Sequence, residues 1–130
     1  MTEWDHLIVA AKQARENAHA AYSNFRVGAA LRATSGRIFG GCNVENATYG
    51  LTVCAERVAI FKAISEGERG FDAIAVVTDT DTLTSPCGAC RQLLWEFCGD
   101  IPVILSNLKG KTETIRMKDL FPKPFDSSSL

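Results

Sequence analysis

The chain has 130 residues, a formal net charge of −1 and five cysteines. That length makes one domain, spanning 1–130, able to bury about two thirds of the surface its unfolded form exposes, with no need of disulfides. A near-neutral charge with no run of basic residues argues against a nucleic-acid partner. The odd cysteine count, with no long apolar run and no signal peptide, leads us to expect a cytoplasmic protein with no membrane partner.

From the N-terminus, Thr2 with Asp5 three residues on reads as an N-cap, and Trp4, Leu7, Ile8, Ala11, Ala14 and Ala18 follow at helical spacing. Tyr22 to Asn24 is a turn. Val27, Ala29, Leu31 and Ala33 alternate with other residues, and Ser35-Gly36 leads into a second run over 38–43, which predicts a hairpin. Residues 46–52 are a loop, after which a helical pattern runs to Ser65 and is closed by Gly67. The uninterrupted β-rich run over 73–78 is that of a strand buried on both faces. Ser85 as N-cap and Pro86 at the first helical position open a helix to Phe97. Strands are predicted over 102–106 and 113–117 and a helical turn over 118–121, while the tail over 126–129 is expected to fray. This order predicts an α/β fold, a single three-layer domain with a mixed sheet and helices on both faces.

The chemistry gathers in Cys54-Ala55-Glu56 and Pro86-Cys87-Gly88-Ala89-Cys90. Three soft sulfur ligands and a carboxylate beside them fit zinc, and a zinc with only three protein ligands keeps its fourth position for water. Cys54 falls at the start of one predicted helix, Cys87 and Cys90 at the start of another. Residues three apart share a helix face, so the last two can grip one ion, and helix N-termini favour thiolate over thiol. Three thiolates around a divalent cation are jointly anionic and call for a compensating charge. Arg57 follows Cys54 by three residues on the same face and is placed to supply it. Arg91, next to Cys90, is a second candidate whose position also lets it point elsewhere.

Two other uses of the cysteines compete. A closed four-sulfur structural site would need Cys42 or Cys98. Cys98 lies eight residues beyond Cys90, about 12 Å along a helix, and is out of reach. Spacing leaves Cys42 open, but such a site gives no reason for Glu56 or Pro86. A redox Cys-x-x-Cys pair would leave Cys54 unexplained. Cys42 and Cys98 read as buried, small apolar residues.

The pattern His/Cys-x-Glu followed by Pro-Cys-x-x-Cys is the signature of zinc deaminases acting on nucleobases, here with Cys54 in place of the more common His. With residues 21–30 (AYSNFRVGAA), 41–47 (GCNVENA), Cys54 to Arg57 and 85–92 (SPCGACRQ), the chain resembles, over nearly its whole length, the cytidine deaminases of the short, homotetrameric class. The resemblance implies a cytidine deaminase-like fold, one zinc per subunit on Cys54, Cys87 and Cys90, and Glu56 as proton shuttle. It implies that Asn43 and Glu45 hold the ribose hydroxyls of a small-molecule nucleoside, that Phe25 lines the base pocket, and that backbone near Ala55 and Ser85 faces the cytosine edge. It also implies a homotetramer whose pockets are completed by neighbouring subunits, with Tyr49 and Phe125 as their contributions. The expected reaction is hydrolysis of cytidine and deoxycytidine to uridine and deoxyuridine with release of ammonia, in pyrimidine salvage. A blasticidin S or purine-base deaminase would keep the zinc motif without the Asn43 and Glu45 pair in this role. A non-catalytic zinc module would lose nothing on replacement of Glu56.

Overall fold

The computed structural model describes residues 3–130, so the predicted cap at Thr2 lies outside the described residues. Helix α1 spans Asp5–Arg15 and buries Leu7, Ile8 and Ala11, three members of its apolar stripe. It stops short of Ala18 because the next residue is used for another purpose. The backbone of His19 bridges to the segment after the hairpin, its N–H donating to Asn43 (3.0 Å) and its carbonyl accepting from Glu45 (2.8 Å).

The hairpin forms as β1 (Val27–Ala33) and β2 (Ile38–Cys42), followed by α2 (Ala55–Ser65), β3 (Phe71–Thr78) and α3 (Gly88–Cys98). Strand β4 (Pro102–Asn107), strand β5 (Thr112–Arg116) and the short α4 (Met117–Leu120) complete the order. The sheet runs β2-β1-β3-β4-β5, antiparallel throughout except for the parallel pair β3 and β4. α3 is the crossover a parallel pair requires.

Side-chain alternation explains the layers. Ala29 and Leu31 of β1, Ile74 and Val76 of β3, and Val103 and Leu105 of β4 share one core with Ala59 and Ile60 of α2 and Leu94 of α3. Ala30, Ala73, Ala75, Val77 and Ile104 point the other way and meet Leu7, Ile8 and Ala11 of α1. The continuous apolar run of β3 thus serves two cores at once, giving the expected three-layer fold. No helix among the described residues is long and apolar enough to cross a membrane.

Two predicted details change. α3 starts at Gly88, not Pro86, because Cys87 is extended (φ −68°, ψ 169°), and Ser85 does not cap it: the Ser85 hydroxyl accepts from the Arg91 side chain. The C-terminal segment is not frayed but makes a helical turn, Ser127–Ser129, capped by Asp126, whose carboxylate also accepts from Trp95 Nε1 at 3.2 Å.

Close approach of α2 to β2 depends on a missing side chain. A Cβ at Gly41 would lie 2.5 Å from the Ala55 carbonyl oxygen and 2.6 Å from the Ala59 nitrogen, both helix backbone. Gly41→Ala must therefore push α2 outward, and with it Cys54 and Glu56. We expect a loss of about 1–3 kcal/mol in chemical denaturation, the usual range for overpacking, together with weaker zinc retention in dialysis. Unchanged zinc retention would show that the start of α2 tolerates the shift.

Candidate active site

Two helix starts and one strand end meet here. Cys54 occupies the N-cap of α2 and Cys87 that of α3, both with extended backbone, while Cys90 lies in the first turn of α3. Their sulfurs all fall within 4.8 Å of one another, the one such grouping of ligand-type side chains among the described residues. Cys54 and Cys87 are 3.9 Å apart. Two sulfurs on one tetrahedral zinc, each at about 2.3 Å, are separated by about 3.8 Å, so the trio has the donor type and spacing for that ion. Cys42 and Cys98 stand outside the trio, half-buried and not fully buried as expected. Burial pushes the Cys98 thiol up to about 12, an inert group.

Charge around the sulfurs is uneven. Cys54 is pulled down to about 5, chiefly by a hydrogen bond from Cys90 and further by Arg57, against the opposing effect of burial. Cys90 moves upward through the same bond to Cys54 and through burial. A bound dication would displace the protons these thiols carry. Arg57 lies beside the trio: its Nη2 is 3.5 Å from Cys54 Sγ and 3.3 Å from the Thr52 carbonyl.

Glu56, second residue of α2, is 5% exposed. Burial raises its pKa to about 7, far above an ordinary carboxylic acid, with the Cys54 charge adding to the effect. A carboxyl poised there exchanges protons in both directions near neutral pH.

In front of the trio opens a cavity of about 240 Å³ lined by Phe25, Val27, Asn43, Glu45, Thr52, Cys54, Ala55, Glu56, Val76, Thr78, Thr84, Ser85 and Cys87. It lies at the carboxyl end of β3, the usual ligand position in α/β sheets. Phe25, Asn43, Glu45 and Ala55 are thus brought together on one cavity wall. Asn43 and Glu45 are also braces. Asn43 donates to the Phe25 carbonyl (2.7 Å) and accepts from the Val27 N–H (2.9 Å). Glu45 accepts from the N–H groups of Tyr22 and Ser23 (3.0 Å each) and from the Ser23 hydroxyl. These bonds, led by that of the Ser23 side chain, hold the Glu45 pKa below its ordinary value. One amide N–H and one lone pair of Asn43, and part of the Glu45 carboxylate, remain for a ligand.

Tyr49 and Phe125 lie outside this cavity. Tyr49 is 72% exposed and packs edge-on to Tyr22 in a shallow depression that shares Glu45 and Thr52 with the cavity wall. Phe125 is 59% exposed on the flank of α3, its carbonyl accepting from Gln92 Nε2. Sequence reasoning missed Thr78 and Thr84, whose hydroxyls are linked through Thr80 (2.9 and 3.2 Å). The signal available was the threonine-rich stretch directly following a buried strand.

An open three-thiol cage with a buried carboxyl beside it, at the carboxyl end of a mixed sheet, defines a zinc-dependent hydrolytic enzyme on a three-layer fold. The chain belongs to the family described as the cytidine and deoxycytidylate deaminase zinc-binding region, whose model matches residues 1–105. It is 53% identical over 127 residues to the cytidine deaminase of Sporosarcina psychrophila, covering 97% of this chain and 93% of that one. With the cytidine deaminase of Halalkalibacterium halodurans the identity is 51%, over 95% of each chain. The crystal structure of cytidine deaminase from Burkholderia pseudomallei superposes with a TM-score of 0.90 at 51% identity, covering 96% of this chain and all of that one.

Proposed function

We propose that this protein is a zinc-dependent cytidine deaminase, one catalytic domain over 1–130, hydrolysing free cytidine and deoxycytidine to uridine and deoxyuridine with release of ammonia in pyrimidine salvage. The observation that carries the reading is the placement of the buried Glu56 carboxyl beside three converging sulfurs, facing a cavity sized for a small molecule. Cys54, Cys87 and Cys90 would hold a zinc, which would supply Lewis acidity and make the attacking water easier to deprotonate near neutral pH.

The protein's own groups then have separable tasks. Glu56 takes a proton from the attacking water and delivers it to ring N3, which makes C4 electrophilic. Once the water oxygen has bonded to C4, the same carboxyl carries that oxygen's remaining proton to the amino group, and the C4–N bond breaks to release ammonia and leave a carbonyl at C4. A pKa about 7 suits both transfers. Phe25 offers an apolar wall for the base. Asn43 and Glu45, pre-set by their bonds to 22–27, present their remaining polar capacity to the ribose. Held anionic, Glu45 also repels a phosphate, which favours a nucleoside over a nucleotide.

Ultraviolet absorbance and ammonia assays with cytidine, deoxycytidine, CMP, adenosine and blasticidin S test the reading. Turnover confined to cytidine and deoxycytidine supports it; turnover of blasticidin S alone, or of none, sinks it. The reactive cysteine cage suits a reducing, cytoplasmic setting. Exposed Val44, Tyr49, Leu51 and Phe125 are suited to burial against neighbouring subunits in a homotetramer. In that assembly Tyr49 and Phe125 would complete adjoining pockets. Gel filtration is expected to give about four times the 14.1 kDa chain mass, and a fully active monomer would refute shared pockets.

Arg57 is assigned the charge-tuning role. Donation to Cys54 Sγ draws electron density from the thiolates and, with zinc bound, would help keep the attacking water acidic. Arg57→Gln, with zinc content verified, is expected to move the acidic limb of kcat/KM to higher pH and to lower kcat about tenfold for each unit moved. A zinc-replete variant with unchanged rate and profile would reduce Arg57 to a packing residue.

A further inference from the structure

Arg91 directly follows the third cysteine yet turns away from the cage. Its Nε donates to the Pro86 carbonyl (2.8 Å), Nη1 to the Leu120 carbonyl (2.7 Å) and Nη2 to the Ser85 hydroxyl (2.8 Å). Pro86 is buried, and because α3 opens only at Gly88 its carbonyl stands outside the helical ladder. A buried carbonyl deprived of its donor is costly. One planar guanidinium therefore fastens three points: the loop before Cys87, the end of α4, and the helix that carries Cys90.

The same helix grips the rest of the C-terminal segment. Gln92 Nε2 donates to the Phe125 carbonyl (2.7 Å) and Trp95 Nε1 to Asp126 (3.2 Å). Of these three side chains, Arg91 is the one that also reaches the site, since Ser85 and Cys87 both line the cavity. We infer that Arg91 is a positioning residue for the metal cage and the substrate cavity together, locking the loop of Ser85, Pro86 and Cys87 between α3 and the C-terminal segment. The inference rests on the functional reading above. Lysine cannot substitute fully, because a single ammonium lacks the fork needed to address three acceptors in different directions.

A merely structural arginine would weaken the fold without singling out the site. The test compares zinc-loaded, full-length wild type with Arg91→Ala, Arg91→Lys and, as a control for general destabilisation, Leu7→Ala, which empties a fully buried position under α1 on the opposite face of the sheet. Zinc release to a chromogenic chelator is measured without substrate, KM and kcat are measured with cytidine, and thermal unfolding is recorded for each. Arg91→Ala is expected to release zinc at least about tenfold faster and to raise KM by about tenfold, the loss expected from a charge-assisted hydrogen bond to a buried acceptor. Arg91→Lys should fall between, and millimolar methylguanidine should slow zinc release from Arg91→Ala but not from Leu7→Ala. Zinc release and KM that simply follow the loss of Tm, as in Leu7→Ala, would overturn the inference. Should Arg91→Ala not fold, Arg91→Lys carries the same comparison. A wild type that holds zinc but leaves cytidine untouched sinks the functional reading alone, and zinc release then decides the role of Arg91.

Discussion

Glu56→Gln is expected to keep zinc and bind cytidine while losing at least the ~10²–10⁴-fold that a positioned acid–base group supplies. Glutamine fills the same volume beside the trio and can still hydrogen-bond, so the cavity survives, but it cannot carry a proton from water to N3 or to the amino group. The loss should therefore fall on kcat with little change in KM. In the metal-free protein the same replacement has a second, opposite consequence. Glu56 titrates at about 7 when folded against 4.5 when unfolded. A raised pKa gives a contribution that is fully present below pH ~4.5, declines as pH rises through about 7 and then levels off, amounting to ~3 kcal/mol. Metal-free Glu56→Gln should lack that decline and so be the more stable protein at neutral pH in urea titrations. A variant retaining half the wild-type activity would remove Glu56 from the reaction.

Cys87→Ala is expected to lose both zinc and activity, whereas Cys42→Ala keeps zinc at one per subunit. Removing one of three sulfurs leaves a two-thiolate site, since the ligand group among the described residues contains only Cys54, Cys87 and Cys90. Cys42 pairs with Gly28 in the hairpin and stands apart from that group. Metal analysis of the two purified variants decides the matter. Zinc lost from Cys42→Ala would restore the closed four-sulfur arrangement that spacing alone left open.

Local pattern carried most of the fold. The alternation of β1, the apolar run of β3 and the helical spacing of α1 each lie within one element, where side-chain direction follows directly from backbone geometry. Boundaries were less legible wherever a residue had a distant obligation. Ala18 fits the α1 pattern, but its neighbour His19 bridges to Asn43 and Glu45 across the fold. Ser85 has the chemistry of a cap, but Arg91 occupies its hydroxyl. The tail over 126–129 has a composition that suggests fraying, yet Trp95 reaches it from 31 positions away.

The sequence by itself determined the donor set: three cysteines and a glutamate whose order and spacing leave few other uses, because Cys87 and Cys90 share one helix face and Glu56 follows Cys54 by two residues. It also determined that β3 would be buried on both faces. Only the tertiary structure decided that Asn43 and Glu45 brace the 22–27 segment while facing the cavity, that Thr78 and Thr84 line it, and that Arg91 points to Leu120 and not to sulfur. Those contacts join residues far apart in the chain. No local preference encodes them, since they exist only once the sheet and its two helical layers have brought the partners within hydrogen-bonding distance.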